Sequence, residues 1–144
     1  MMRSVGIHAH LMLTMSFLFF GCHDDRKKID DFQLTDGFNI EMFASEPLIK
    51  DPVDLEFDQF GNALVLEMPG YPYEDSASRV MLLKDTNQDG RMDLASIYAE
   101  KLNMASSILP YEKGILVATP PYLLYCRDEN GDEKIDKTDT LMGG

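Results

Sequence analysis

Apolar and polar residues alternate along much of this chain with a period of two, the spacing of a strand with one face buried. Val53, Leu55 and Phe57 alternate with Asp54, Glu56 and Asp58 in the clearest example, and Phe38, Ile40 and Met42 alternate with Asn39 and Glu41 in another. Further strands are predicted at 63–68, 79–83 and 94–99, then at 106–109, 115–118 and 122–126. Turn chemistry separates them: Asp58-Gln59-Phe60-Gly61-Asn62 in the first half and Glu112-Lys113-Gly114 in the second. No amphipathic stretch reaches three helical turns, so the expected class is all-β.

The strands come in a repeated order. Asp85-Thr86-Asn87-Gln88-Asp89-Gly90-Arg91-Met92-Asp93 carries oxygen side chains at positions 1, 3, 5 and 9. Asp128-Glu129-Asn130-Gly131-Asp132-Glu133-Lys134-Ile135-Asp136 repeats that spacing 43 residues on. Strand, turn, strand, strand, acidic loop occurs twice, the first time with an inserted loop, Pro69-Gly70-Tyr71-Pro72-Tyr73-Glu74-Asp75-Ser76. A period of about 40–45 residues is that of one four-stranded propeller blade. The pattern predicts the first two or so blades of an incomplete β-propeller over 32–144. The last residues, Thr140 to Gly144, stand where a further strand should begin to develop. Closed propellers need about four to eight blades, so the chain is expected to be part of a longer protein.

Alternate oxygen donors on a tight loop suit a hard cation such as Ca²⁺. The first candidate set is Asp85, Asn87, Asp89 and Asp93 with the Arg91 carbonyl. The second is Asp128, Asn130, Asp132, Asp136 and Asp139. Ser96 at position 12 of the first loop and Glu133 at position 6 of the second depart from the EF-hand pattern, and the flanks read as strands. The alternative is a solvated Asx-turn that needs no ion.

At the N-terminus, Arg3 precedes a short apolar run from Leu11 to Phe20, too short to span a bilayer core. Residues 1–21 read as an export signal of lipoprotein type. Leu18-Phe19-Phe20-Gly21-Cys22 resembles a bacterial lipobox with Phe19 where leucine is usual, making Cys22 the lipidation candidate. Residues 22–31 form a charged tether. The expected location is the cell envelope, periplasmic or cell-surface, held at the membrane by the lipid. A plain signal or uncleaved anchor is the alternative. Cys126 is expected to be a buried thiol; a Cys22–Cys126 disulfide would require that Cys22 is not acylated.

Composition narrows the function. Lys and Arg number 13 against 25 Asp and Glu, a net charge of −12. A surface this negative repels phosphate backbones, which excludes nucleic acid as a natural partner. His8, His10 and His23 are the only histidines. The chain from Asp24 onward therefore offers no Ser-His-Asp or Cys-His device and no histidine-bearing zinc site. Phosphate-cradling and nucleophile-elbow motifs are missing as well.

The run from Gly37 to Ile49 followed by Asp51-Pro52-Val53, the segment Glu67-Met68-Pro69-Gly70-Tyr71-Pro72, and both acidic loops together resemble the opening of the membrane-bound dehydrogenase family. Those proteins carry an N-terminal β-propeller similar to soluble quinoprotein glucose/sorbosone dehydrogenases. The resemblance implies a six-bladed propeller in the full-length protein, a sugar or alcohol substrate, and pyrroloquinoline quinone as cofactor. The histidine base of such enzymes has no counterpart here, so no catalytic residue is assigned and this chain alone is expected to be inactive. Glu67, Tyr71 and Tyr73 lie at the inserted loop, where packing is the expected role. The competing reading is a calcium-stabilised propeller module that binds carbohydrate or a protein partner.

Overall fold

The computed structural model describes residues 32–74 and 77–143. Contacts divide the chain into Met1–Asn39 and Ile40–Gly144. The described part of the first unit, 32–39, holds a turn in which Phe38 N–H bonds the Thr35 carbonyl at 3.2 Å. The export signal, Cys22 and the tether lie outside the described residues.

The second unit is all-β: eight strands, and no helix among the described residues. They are β1 (Pro52–Phe57), β2 (Ala63–Glu67), β3 (Ser78–Lys84), β4 (Leu94–Leu102), β5 (Ser107–Tyr111), β6 (Gly114–Thr119), β7 (Tyr122–Arg127) and β8 (Lys137–Met142). They form two antiparallel four-stranded sheets, each in simple sequence order. β1 to β4 make the first and β5 to β8 the second.

One expectation needs correction. The alternating run at 38–42 is not a strand; no ladder incorporates it. The strand expected to develop from Thr140 begins three residues earlier: 137–142 are β8 and complete the second sheet. Lys137, Thr138 and Thr140–Met142 are exposed, and only Asp139 is half-buried. An edge strand can be this polar because only one of its neighbours is protein.

The registers align the two sheets residue by residue. Lys84 pairs with Leu94 and Arg127 with Lys137, each pair bracketing an acidic loop. Ala63 pairs with Leu83 as Ile115 pairs with Cys126. It follows that Leu64 corresponds to Leu116, Met81 to Leu124, Leu82 to Tyr125 and Glu67 to Thr119.

Side chains on a strand alternate between faces, so each sheet has an upstream and a downstream face. Ala63, Val65, Met81 and Leu83 form the upstream face of the first sheet, which packs with Met92 against Phe43, Ala44, Leu48 and Ile49. Its downstream face, Leu64, Leu66, Val80 and Leu82, packs against Ile108, Ile115, Val117 and Cys126 on the upstream face of the second. The first strands of the two sheets also touch. Asp54 on β1 accepts hydrogen bonds from Ile108 N–H at 2.8 Å and Ser107 Oγ at 2.9 Å on β5.

Turn residues fix these registers. Asp58 Oδ1 accepts the N–H groups of Phe60 (2.8 Å) and Asn62 (2.9 Å), while Gly61 takes a φ of +85°. The matching β5–β6 turn closes on Gly114, where a Cβ would lie 1.9 Å from the Cys126 carbonyl oxygen. Backbone stands in the way there, so only glycine permits β6 and β7 to approach.

Candidate functional site

Both acidic loops join the third and fourth strands of their sheet, and their hydrogen bonds follow nearly the same pattern. In the first loop Asp85 accepts Asp89 N–H at 3.2 Å and Gly90 N–H at 2.8 Å. Asn87 Oδ1 accepts Asp89 N–H and Asp89 Oδ1 accepts Arg91 N–H, both at 2.9 Å. In the second, Asp128 accepts Gly131 N–H at 2.6 Å and Glu133 N–H at 2.8 Å. Asn130 Oδ1 then accepts Asp132 N–H at 2.8 Å, and Asp132 Oδ1 accepts Lys134 N–H at 3.1 Å. Three side chains thus turn their oxygens inward on consecutive backbone donors, an Asx-turn series.

Position 9 acts differently. Asp93 binds back to Thr86, taking its N–H at 3.1 Å and its Oγ1 at 2.9 Å. Asp136 accepts Glu129 N–H at 3.0 Å and Asn130 Nδ2 at 2.9 Å. These carboxylates clamp the mouth of each loop. Asp139 is not in its loop at all: it sits on β8 in an ion pair with Arg127. No three Asp, Glu, His or Cys side chains are gathered to hold a metal ion among the described residues. The structure therefore brings together Asp85, Asn87 and Asp89, and likewise Asp128, Asn130 and Asp132. It sets Asp93, Asp136 and Asp139 to other partners.

The position that pattern reading passed over is the eighth. Met92 N–H bonds the Phe43 carbonyl and Ile135 N–H bonds the Tyr98 carbonyl, each at 2.9 Å. Met92 is buried and Ile135 packs against the core between the sheets. Apolar residues at the same place in two otherwise polar loops were the available signal.

The second loop also borders a cleft between the sheets. Its volume is about 560 Å³, and Asp58, Phe60, Tyr98, Tyr111, Glu112 and Asp128 are among its lining residues. Lys84 crosses to Glu133 at 2.5 Å, tying the first sheet to the second loop. The cleft is acidic and flanked by aromatic rings, chemistry suited to a polyol or a cation. Burial pushes the Tyr98 phenol up to about 12, helped by the Asp128 and Asp58 carboxylates.

Glu67 has a structural role. It is fully buried, and its carboxylate receives Arg79 Nε and Lys50 N–H, each at 2.6 Å. Tyr71 and Tyr73 project into solvent, 61% and 91% exposed. Cys126 is a free, buried thiol. Burial raises its pKa and a hydrogen bond from Thr138 offsets part of that, so it is a poor nucleophile.

Residues 24–144 match the sequence profile of a family described as a domain of unknown function, DUF7133. The chain belongs to that family. No match was found among curated proteins or among solved structures. In this DUF7133 chain the site is thus defined by its own geometry: two latched acidic loops and an acidic, aromatic cleft between two sheets.

The Tyr98 shift has a signed consequence. Its folded pKa lies above the ordinary value near 10, so the fold favours the neutral phenol. That contribution is complete below pH 10 and is lost as pH rises from 10 towards 12. Denaturant titrations across this window should show a steeper alkaline loss of stability for wild type than for Tyr98→Phe; equal slopes would remove the assignment.

Proposed function

We propose that this chain forms two consecutive blades of a β-propeller in an exported, lipid-anchored, dehydrogenase-like protein acting on sugars or alcohols. The two sheets would serve as scaffold and ligand-binding surface and contain no complete reaction centre. The observation that supports the reading most is the repeated joint: each sheet covers its upstream face with the element before it, through the same loop position. Successive sheets related in this way are what a propeller stacks around its axis. The reaction class rests on the resemblance of 37–53, 67–72 and the two loops to membrane-bound dehydrogenases. Propeller architecture by itself does not fix chemistry. A base and a quinone cradle would have to come from outside residues 24–144, which contain no histidine.

A second reading, a calcium-stabilised binding module, is favoured by the cleft and the loops. Asp85, Asn87 and Asp89 with the Arg91 carbonyl are the hard oxygen donors a Ca²⁺ ion would take. Each carboxylate that accepts an N–H retains further lone pairs for an ion. Two carboxylates, one amide and one carbonyl also leave coordination positions to water.

The lipid anchor at Cys22 rests on the short apolar run that ends in Gly21-Cys22 and on the charged residues after it. Cys22→Ser should move the protein from the membrane fraction to the soluble fraction and leave no acyl mass on the mature N-terminus. Continued membrane retention would refute the anchor.

For the cation, a ligand that binds only the folded state adds about 2.7 kcal/mol at a hundredfold excess over its Kd. Melting should therefore occur at higher temperature in Ca²⁺ than in chelator, and Asp89→Ala should erase most of the difference. Identical melting in the two conditions would leave the loops as plain turns. For the chemistry, dye-linked oxidation of a sugar panel by this chain, with quinone and Ca²⁺ added, should stay at background. Turnover would place a reaction centre within these two sheets and overturn the scaffold assignment.

A further inference from the structure

We propose that the downstream face of the second sheet, with Arg127 and the Leu141 carbonyl at its margin, is the docking surface for a further four-stranded sheet of the same repeat in series with this one. The inference rests on the stacked-repeat reading above, and on neither ring closure nor a bound cation.

The chain already makes this joint twice. Met92 N–H reaches the Phe43 carbonyl and Ile135 N–H reaches the Tyr98 carbonyl, each at 2.9 Å. In both cases the apolar upstream face of a sheet lies against the element that supplies the carbonyl. Tyr98 follows Ile97, the partner of Met81; Leu141 follows Thr140, the partner of Leu124. Since Met81 corresponds to Leu124, Leu141 stands on the second sheet where Tyr98 stands on the first. It is the third acceptor of the series.

The surface beside it has the composition the joint requires. Leu64 and Leu82 on the first sheet are 3% and 4% exposed because the second sheet covers them. Their counterparts Leu116 and Tyr125 are only half-buried, and Leu109 and Met142 on the same face are 51% and 63% exposed. Charge points the same way. Lys84 at the end of β3 takes Glu133 from the following acidic loop. Arg127 occupies the matching position on β7, and its Nε is a buried donor with no hydrogen-bond partner among the described residues. The partner is therefore a sheet whose upstream face is aliphatic and whose acidic loop has an apolar residue at its eighth position.

A second copy of this chain does not meet that description. Its first upstream face is covered by residues 43–49 and its second by its own first sheet. Self-association through the surface would have to displace that cover.

The test is the full chain extended beyond Gly144 by a further copy of residues 103–143, followed by amide hydrogen exchange and surface labelling. In the extended protein, residues 116–125 should lose accessibility, and the amide at the added eighth loop position should exchange as slowly as that of Ile135. Leu116→Asp with Leu123→Asp should abolish both changes, as should Ile135→Pro made only in the added copy, which removes the N–H. Ile135→Val in the added copy should preserve them. Unchanged labelling of 116–125 in the extended protein overturns the proposal, whether or not the added repeat orders by itself. Fast exchange of Ile135 in the unextended chain would instead overturn the stacking reading. The two failures are thus distinguishable.

Discussion

Every feature of this molecule depends on covering a sheet that is apolar on both faces. β2 shows the constraint most directly, because all five of its residues, Ala63 to Glu67, are buried. A strand that buries both faces cannot belong to a sheet with one wet side. Something must lie above it and something below. Residues 43–49 do the first and the second sheet does the second. Burial on both sides also explains the cost accepted at Glu67. A carboxylate with no solvent exposure needs both a cation and a backbone donor, and Arg79 and Lys50 N–H supply them. That pair in turn fastens the covering segment to β2 and β3.

The acidic loops complete the same device. Their backbone donors can be accounted for one after another. In the second loop the N–H groups of 131 to 134 go to the side chains of Asp128, Asn130 and Asp132. The next N–H, of Ile135, leaves the loop for the Tyr98 carbonyl, and that of Asp136 returns to the Arg127 carbonyl. The carboxylates hold the turn so that one donor is left pointing at the neighbouring element. The loop is therefore part of the joint between sheets, and its acidity and its apolar eighth residue are two halves of one function.

Pattern reading reached the all-β class, the paired repeat and most strand positions because these are written locally. Alternation, turn residues and loop spacing each depend on neighbours in sequence. What it missed depends on neighbours in space. Residues 38–42 alternate as a strand would, yet alternation specifies a face and not a partner, and no ladder takes them. β8 lacks a hydrophobic signature because it is an edge. The two-residue periodicity of β8 places Asp139 beside Arg127, with which it forms an ion pair that loop spacing does not reveal. Asp93 and Asp136 close the mouths of their loops through hydrogen bonds to Thr86, Glu129 and Asn130, contacts that spacing alone does not show. Glu67 has the packing role expected of it, but its partners, Arg79 and the Lys50 N–H, are not visible in the sequence.

An ion bound in the first loop would be coupled to the joint by this geometry, and the coupling would have a direction. If Ca²⁺ binds Asp85, Asn87 and Asp89, it acts on the side chains that already fix the N–H groups of 89 to 91. The next donor is Met92, whose bond to Phe43 holds the covering segment on the first sheet. Neutralising carboxylate repulsion in the loop would therefore stiffen the packing of the element upstream, some distance along the chain, with no contact between that element and the ion. Asp93, clamped to Thr86, holds the loop mouth closed. A bound ion would thus act through the stability of the packing rather than through movement of the loop.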